Sequence, residues 1–280
     1  MATLTWTGGE SATTKTFMTA ANWGGTAPTN DDTLIINTSS DTIAGAATGL
    51  TGITLRVGSG FTGTLGSSST YLDLDGPLLE FAPLSFGHHM TGTWTDVRIT
   101  GGSSVGDLLV FKDNASTSIT TLTCSRLESK VTIGSSASLT TVNMNGMQTG
   151  TVDIKSGVSS LTTINCSRGE VLVASSCTTA NALGGTITSS GTAAFTNVEC
   201  DGDGSFNHLS SGTITNLDVY HGVFDHRLNE TAGFTLTNAT IYRGGEIRGD
   251  GSLDNVTYTN GVSLQGGQAT FPIGSTVSVS

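Results

Sequence analysis

A repeat of about nineteen residues constrains the fold of this 280-residue chain more than any other feature. Its unit is six residues long and has apolar residues at the first, fourth and sixth positions, as in Leu161-Thr-Thr-Ile-Asn-Cys166. Copies begin at Leu50, Trp94, Ile119, Leu139, Leu161, Cys177, Phe195, Ile214, Leu236 and Leu253. Seven intervals separate Ile119 from Leu253. Short β-type runs at this period, separated by Gly-rich breaks, are typical of a solenoid.

The alternation within each unit predicts a strand with one buried face. The fourth and sixth positions are almost always apolar, whereas the fifth position between them carries Thr, Asn, Arg, Glu or Asp. A period of two is what a strand shows when one face packs on a core. Because no long stretch has apolar residues at helical spacing, we predict an all-β fold, a single right-handed parallel β-helix of about ten coils.

The third position of the unit changes from Thr to Asn along the chain. The asparagines are Asn197, Asn216, Asn238 and Asn255. Asn tolerates the left-handed backbone needed at a corner, and stacked Asn side chains can hydrogen-bond along a column. We therefore predict a corner column of asparagines. It resembles the Asn columns of right-handed parallel β-helix proteins, a likeness of architecture over roughly residues 45–265.

The cysteines fit the same pattern as core residues. Three of the four cysteines of the chain occupy the sixth position, where the core column includes Cys124, Met144, Cys166 and Cys200. Successive turns lie about 4.8 Å apart, so thiols two turns apart lie beyond disulfide reach. Cys177 occupies a first position. We predict four free, buried thiols.

The chain divides by this pattern into three parts. We predict an N-terminal cap with the first strand over residues 1–45, a parallel β-helix over 46–266 and a C-terminal strand or tail over 267–280. Trp6, Phe17 and Trp23 precede the first strand and are predicted to cap an otherwise open apolar core. A sugar-binding platform is the alternative for the two tryptophans. The apolar segment between Leu72 and Trp94 is predicted to be an insert, either a buried excursion or a patch that contacts a neighbour.

Candidate chemistry in the sequence is sparse. Glu199 and Asp218 occupy the outward fifth position of successive turns, and they form the best carboxylate pair for glycoside hydrolysis. Asp201-Gly-Asp203-Gly is predicted to be a solvated turn rather than a calcium site, and His88-His89 an insertion loop rather than a zinc site. We predict no catalytic residue, no cofactor and no metal.

The net charge of the chain restricts the classes of molecule that it can bind. The net charge is −11, with 22 acidic and 11 basic residues, which disfavours binding to a nucleic-acid backbone. No apolar run is long enough to span a bilayer, and the sequence starts without the basic and apolar regions of a secretory signal. We expect synthesis in a host cytoplasm without general export, and neither nucleic acid nor membrane as a partner.

One segment carries a resemblance to known proteins. Trp6-x-Gly, Phe17, Ala21-Asn-Trp-Gly24, Pro28 and Asp32-Thr-Leu-Ile-Ile36 resemble the leading segment of β-solenoid proteins in phage virions. A similar Trp-rich segment precedes the first coil of bacterial autotransporter passengers, which also carry a signal and a membrane barrel.

The resemblance implies a place on the virion. The expected function is non-enzymatic decoration and stabilisation of the capsid surface, with other copies of the chain (a homotrimer) and the major capsid protein as partners. The alternative is a tail spike or fibre that binds or cleaves a host surface polysaccharide, for which Glu199 and Asp218 would be the catalytic pair. An adhesin-like module that binds glycans through Trp6 or Trp23 is a further alternative.

Overall fold

The computed structural model describes residues 1–102, 106–145, 149–229, 233–249 and 256–270. It is an all-β protein in which parallel strands form a β-solenoid of about 11 turns. This confirms the predicted fold class, with a turn count close to the predicted ten. The chain divides into two compact units, Met1–Leu139 with Thr149–Val152 and Thr140–Gln148 with Asp153–Ser280.

The first unit contains thirteen complete strands among its described residues and a short 3-10 helix at Ala20–Trp23. The strands are β1 (Thr3–Thr5), β2 (Thr14–Thr16), β3 (Thr33–Ser39), β4 (Thr42–Ala44), β5 (Thr54–Phe61), β6 (Thr64–Leu65), β7 (Leu72–Asp73), β8 (Gly76–Phe81), β9 (His88–Thr91), β10 (Thr93–Ile99), β11 (Asp107–Phe111), β12 (Ser118–Cys124) and β13 (Lys130–Ile133). Strands β1, β3, β5, β8, β10 and β12 form one parallel sheet, and β7, β9, β11 and β13 form another. Strands β2, β4 and β6 form a third.

The remaining strands follow the same plan. Strands β14 (Ser138–Asn145) and β15 (Thr151–Ile154) carry residues of both units. The second unit continues with β16 (Thr163–Arg168), β17 (Glu170–Val173), β18 (Cys177–Ala182), β19 (Thr186–Ser189), β20 (Phe195–Cys200), β21 (Ser205–His208), β22 (Ile214–Val219), β23 (Val223–Asp225), β24 (Phe234–Tyr242), β25 (Glu246–Arg248), β26 (Val256–Tyr258), β27 (Val262–Gln265) and β28 (Gln268–Thr270). The even-numbered strands from β14 to β26 form the repeat-bearing sheet, with β27 also paired to β24, and the odd-numbered strands from β15 to β25 form the second sheet, which β28 extends.

Register aligns equivalent positions of the repeat. Val198 lies opposite Leu217, and Cys200 opposite Val219, so the fourth and sixth positions form continuous buried columns. The same sixth-position column pairs Met144 with Cys166. All four cysteines are free and buried.

The segment predicted to be an insert supplies an additional coil. Strand β8 lies between β5 and β10, with Leu79 opposite Val97 and Phe81 opposite Ile99. Leu79 and Phe81 are fully buried, as expected of the fourth and sixth positions. The prediction failed because this coil carries Pro77-Leu78 where other copies carry two polar residues. The extra coil accounts for the difference between ten turns and about eleven.

His88 is likewise part of the core. It lies in β9 rather than in a loop, it is fully buried, and the backbone N–H of Leu65 donates to its Nδ1 at 3.2 Å. His89, the next residue, is partly exposed. The predicted insertion loop at this pair is therefore wrong, because the period-two burial of β9 runs through it.

The last copy of the repeat is shifted in register. Val256 and Tyr258 lie opposite Phe234 and Leu236, and it is Val262 that lies opposite Ala239 in the fourth-position column. Val262 is buried, whereas Val256 is only half-buried. Asn255, predicted to end the Asn column, lies outside the described residues. The shift lets Val262 fill the core beside β24.

Parallel strand pairing extends beyond residues 46–266, the range predicted for the β-helix. Strand β1 pairs with β3, so parallel pairing already begins at Thr3 within the segment assigned to the cap. At the other end, β28 pairs with β25 through Gln268, Ala269 and Thr270. Residues 271–280 of the predicted tail lie outside the described part of the chain.

Candidate functional site

The three N-terminal aromatic residues pack against one another. Trp6 and Trp23 meet edge to face at 5.0 Å between ring centroids, and Phe17 lies 5.2 Å from Trp23. The Trp6 indole N–H donates to Asp41 Oδ2 at 2.9 Å, and that of Trp23 to the carbonyl of Phe17 at 2.5 Å. Because Trp6 and Trp23 are 4% and 3% exposed, neither offers a ring face to a sugar. The observed burial removes the basis for the platform interpretation.

Asparagines form two hydrogen-bonded ladders in the second unit. In the third-position ladder each side-chain amide donates to the carbonyl one turn before it, at 2.9 Å, 2.8 Å and 2.6 Å. Its members are Asn197, Asn216, Asn238 and Asn260. A second ladder joins the fifth-position residues Asn143, Asn165 and Asn181 at 2.9 Å and 2.8 Å.

The third-position asparagines do not turn a corner in the left-handed backbone region. The described non-glycine residues with positive φ are Asp31, Ser160 and Asp203. Asn197 lies within β20, where it and Thr196 both point outward between the buried residues Phe195 and Val198. A bend inside the strand therefore replaces the expected left-handed corner. The Asn side chains stabilise the column by forming hydrogen bonds with one another.

Glu199 and Asp218 are brought together at the end of the fifth-position ladder. Glu199 lies directly opposite Asp218 on one side and Asn181 on the other. Adjacent parallel strands are about 4.8 Å apart, so the two side chains are neighbours on the outward face of the sheet. Retaining glycosidases use two neighbouring carboxyl groups about 5 Å apart, one as an acid and the other ionised.

Electrostatics distinguish Glu199 within this group. Partial burial raises its pKa above the ordinary value, and the nearby carboxylates of Asp201 and Asp218 raise it further. Both effects disfavour the charged form, burial by removing solvent and the neighbours by repulsion. A carboxyl group with a raised pKa beside a second carboxyl is the arrangement used for general acid catalysis.

The turn after β20 contains Asp201 and Asp203. His221 Nδ1 lies 3.2 Å from Asp201 Oδ1, and the N–H of Asp203 donates to the carbonyl of His221 at 2.9 Å. Among the described residues no three His, Cys, Asp or Glu side chains come together to hold a metal ion. This turn is held by hydrogen bonds of its own.

Sequence reasoning missed a pair of tyrosines beside these acids. Tyr220 and Tyr242 stack with ring centroids 4.4 Å apart and an angle of 10° between the planes. A hydrogen bond with Tyr242 raises the pKa of Tyr220. Each tyrosine directly follows a sixth-position residue, Val219 or Ile241, so the repeat already placed them on adjacent turns. We call Glu199, Asp201, Asp218, Tyr220 and Tyr242 the acidic–aromatic ledge.

Two arginine side chains of the second unit pair with acids. Arg227 Nη2 lies 2.6 Å from Asp225 Oδ2, and Arg248 Nη2 lies 2.7 Å from Glu246 Oε2. These pairs occupy the odd-numbered sheet, in β23, β25 and the turn after β23. Both arginines are thus paired with carboxylates of the same sheet.

The structure defines the class of protein, a β-solenoid, without a more specific family. No protein-family model, curated protein or solved structure matches the chain. The described residues include no helix long and apolar enough to cross a membrane.

Proposed function

We propose that this chain is a non-enzymatic structural protein on the outside of a phage particle, where it decorates and stabilises the capsid. The observation that carries the proposal is a strip of threonines on the outward face of the repeat-bearing sheet. The second position of the repeat is threonine on successive turns of the second unit, and backbone pairing places Thr259 beside the last of them. The residues are Thr140, Thr162, Thr178, Thr196, Thr215, Thr237 and Thr259. We call this set the threonine strip.

The chemistry of the threonine strip suits contact with another protein. Threonine is neutral and restricted at χ1, so little side-chain freedom is lost when it is covered. The neighbouring Asn197–Asn216–Asn238 ladder holds the adjacent outward column in fixed positions. A rigid, neutral strip of this kind fits a protein lattice better than it fits a polyanion.

Two further features support the same proposal. The leading segment around Trp6 and Trp23 resembles that of phage virion solenoids, and the acidic net charge of −11 disfavours nucleic acid as the partner. Association of three copies would bury neutral faces against one another and then present identical surfaces to the capsid. The proposed partners are therefore copies of the chain and the major capsid protein.

Fractionation of particles tests the location. Particles produced from the genome that encodes the chain are separated into full capsids and isolated tails, and each fraction is probed with antibody raised against the chain. We expect the protein in the capsid fraction and immunogold label over the capsid surface. Recovery with tails, or in neither fraction, would overturn the proposal. Sedimentation velocity of the purified chain tests the trimer.

A tail spike that binds or cleaves a polysaccharide is a second candidate, favoured by the Glu199–Asp218 pair. The test is release of reducing ends from host capsule or lipopolysaccharide by the purified chain. Turnover that is abolished by Glu199→Gln or Asp218→Asn, and kept by Glu170→Gln on another sheet, would establish the spike and displace the decoration proposal. Absence of turnover in the unsubstituted chain would remove this candidate as an enzyme.

A further inference from the structure

We propose that a groove beside the acidic–aromatic ledge binds an anionic oligosaccharide. The groove has a volume of about 550 Å³ and is formed by the turns that follow the sixth position on three successive coils. Its lining includes Arg168, Gly169, Gly184, Gly185, Gly202 and Asp203. This site lies entirely within the second unit, and it requires neither the capsid location nor catalysis by Glu199.

The groove exists because its floor is glycine. Gly184 has φ +126° and Gly202 has φ +55°, backbone conformations that other residues rarely adopt. A Cβ on Gly184 would lie 2.9 Å from the carbonyl oxygen of Ser167, and one on Gly202 would lie 3.0 Å from that of Leu183. Side chains are therefore excluded, and backbone carbonyls such as that of Ser167 border the space. Backbone carbonyls accept hydrogen bonds from sugar hydroxyls.

Arg168 gives the groove its charge. Its side chain is exposed and makes no ion pair or hydrogen bond within the described residues, whereas Arg227 and Arg248 each bind a carboxylate. The guanidinium group can bind a carboxylate, sulfate or phosphate through two parallel N–H donors. Arg168 is thus placed to bind the acidic group of a ligand, at the end of the groove away from Asp203.

Asp203 does not compete for Arg168. The two residues belong to coils two turns apart, since Cys166 pairs with Ala182 and Ala182 with Cys200. Two turns correspond to about 10 Å along the sheet. At that distance the Asp203 carboxylate can accept hydrogen bonds from hydroxyls of a neighbouring sugar while Arg168 holds the acidic group.

The same column of turns continues to an aromatic surface. Backbone hydrogen bonds join neighbouring coils along this column. Leu183 N–H donates to the Cys166 carbonyl at 2.8 Å, and Tyr220 N–H donates to the Cys200 carbonyl at 2.9 Å. Tyr242 covers one face of Tyr220, and Asp201 lies opposite Tyr220 on the preceding coil, which carries the groove. A sugar ring that extends from the groove can pack its apolar face against the partly exposed Tyr220 ring. The ligand class that satisfies all three features is an extended glycan with acidic groups.

Binding of defined oligosaccharides tests the site. Isothermal titration is performed with a galacturonic acid hexamer, a sulfated dextran fragment and a neutral dextran fragment of similar length. We expect at least one anionic probe to bind and the neutral probe to bind at least 10-fold more weakly. Failure of both anionic probes to bind, or equal binding of the neutral probe, would overturn the proposal.

Variants separate a specific site from general attraction. Arg168→Ala is expected to weaken binding of the anionic probe about 10-fold or more, since a hydrogen bond to a charged group is lost. Arg168→Lys should recover part of the affinity, and Tyr220→Ala should weaken binding several-fold. Arg98→Ala makes the same change in charge on the first unit and should leave binding unchanged. Equal losses in Arg98→Ala and Arg168→Ala would refute the groove as the site.

A measurement of folding keeps the comparison valid. Circular dichroism and the midpoint of urea unfolding are recorded for each variant, and Arg168 is exposed, so its replacement is expected to leave both unchanged. The outcome is independent of the capsid proposal, because a chain that decorates capsids could bind glycan or not. Fractionation of particles can therefore overturn the capsid proposal without affecting the glycan site, and titration with glycans can overturn the glycan site without affecting the capsid proposal.

Discussion

Asn216 donates its side-chain amide to the side-chain carbonyl of Asn197, 2.9 Å away on the neighbouring strand. It also accepts the equivalent bond from Asn238 at 2.8 Å, so it is bonded on both sides. Asn216 thus ties three coils together outside the core. The first residue of the third-position ladder, Asn197, lies on the same coil as Glu199, and Glu199 follows Asn181, the last asparagine of the fifth-position ladder.

Replacing Asn216 should weaken the solenoid measurably. Asn216→Ala removes two side-chain hydrogen bonds and should lower the free energy of unfolding by about 1–2 kcal/mol, measured by urea denaturation. The control is Thr196→Ala, an exposed position of β20 whose side chain makes no hydrogen bond within the described residues. Equal effects of the two substitutions would show that the ladder contributes nothing.

Truncation of Trp23 should be much more costly. Trp23→Ala removes a buried indole that contacts Trp6 and Phe17, and we expect a loss of about 3–5 kcal/mol in the free energy of unfolding. Phe86→Ala is the matched control, because Phe86 is 52% exposed. A stable Trp23→Ala variant with unchanged midpoint would refute a structural role for the aromatic cluster.

Fluorescence checks the same cluster without mutation. Trp6, Trp23 and Trp94 are all the tryptophans of the chain, and all are buried. We expect emission of the native protein to be blue-shifted from that of the unfolded chain and resistant to quenching by iodide. An emission spectrum matching the unfolded chain would contradict the observed packing.

The thiols should be unreactive until the chain unfolds. Burial raises the pKa of Cys166 and of Cys177 to about 12, and it raises those of Cys124 and Cys200 above the ordinary value as well. Because the thiolate is the reactive form, a thiol reagent at pH 8 should modify none of the four rapidly in the native protein and all four in denaturant. Ser190→Cys, at an exposed turn, should add one fast-reacting thiol. Rapid native reaction of the unsubstituted chain would contradict this prediction.

Acid should destabilise the second unit through two buried histidines. Burial, together with the charge of His226, lowers the pKa of His208 to about 3, and burial lowers that of His226 to about 4. Protonation therefore favours the unfolded chain, in which a histidine titrates near 6.5. Their stabilisation is complete above pH 6.5 and is lost as the pH falls from 6.5 toward 4 and 3, by up to about 1.4 kcal/mol per pH unit for each histidine.

Replacing His208 isolates its contribution to the pH dependence of the unfolding free energy. Among the described residues its Nε2 has no hydrogen-bond partner, its Nδ1 lies 2.9 Å from Ser189 Oγ, and its ring packs among Phe206, Phe224 and Phe234. His208→Phe should therefore fold and should reduce the dependence of the unfolding free energy on pH between 6.5 and 4.5. Thr196→Ala, at an exposed position without a titratable group, should leave that dependence unchanged. Identical pH profiles for both variants and the unsubstituted chain would refute the role of His208.

The repeat predicted the architecture because a solenoid applies one local rule on every turn. An apolar residue at the fourth and sixth positions, with a polar residue between them, is sufficient to specify a strand with one buried face. The pairing of Glu199 with Asp218 followed from the same periodicity, since equivalent positions on successive coils become neighbours.

The prediction failed where a coil departs from the common pattern. Strand β8 was missed because a buried strand can carry Leu78 where other copies carry a polar residue. The fourth position of the last copy was assigned to Val256 instead of Val262, because either valine considered alone suits a core position. Only pairing with β24 distinguishes them, and pairing is a property of the folded chain.

The sequence by itself determined the periodic strands, the identity of the inward columns and the free thiols placed two turns apart. Tertiary structure alone decided the number of coils, the register of the last one and the groove at Arg168. The physical reason is that periodicity acts within a single coil, whereas a groove depends on the paths of several turns. Gly184 and Gly202 look like ordinary breaks in the sequence, and only their stacking beside Arg168 opens the space between them.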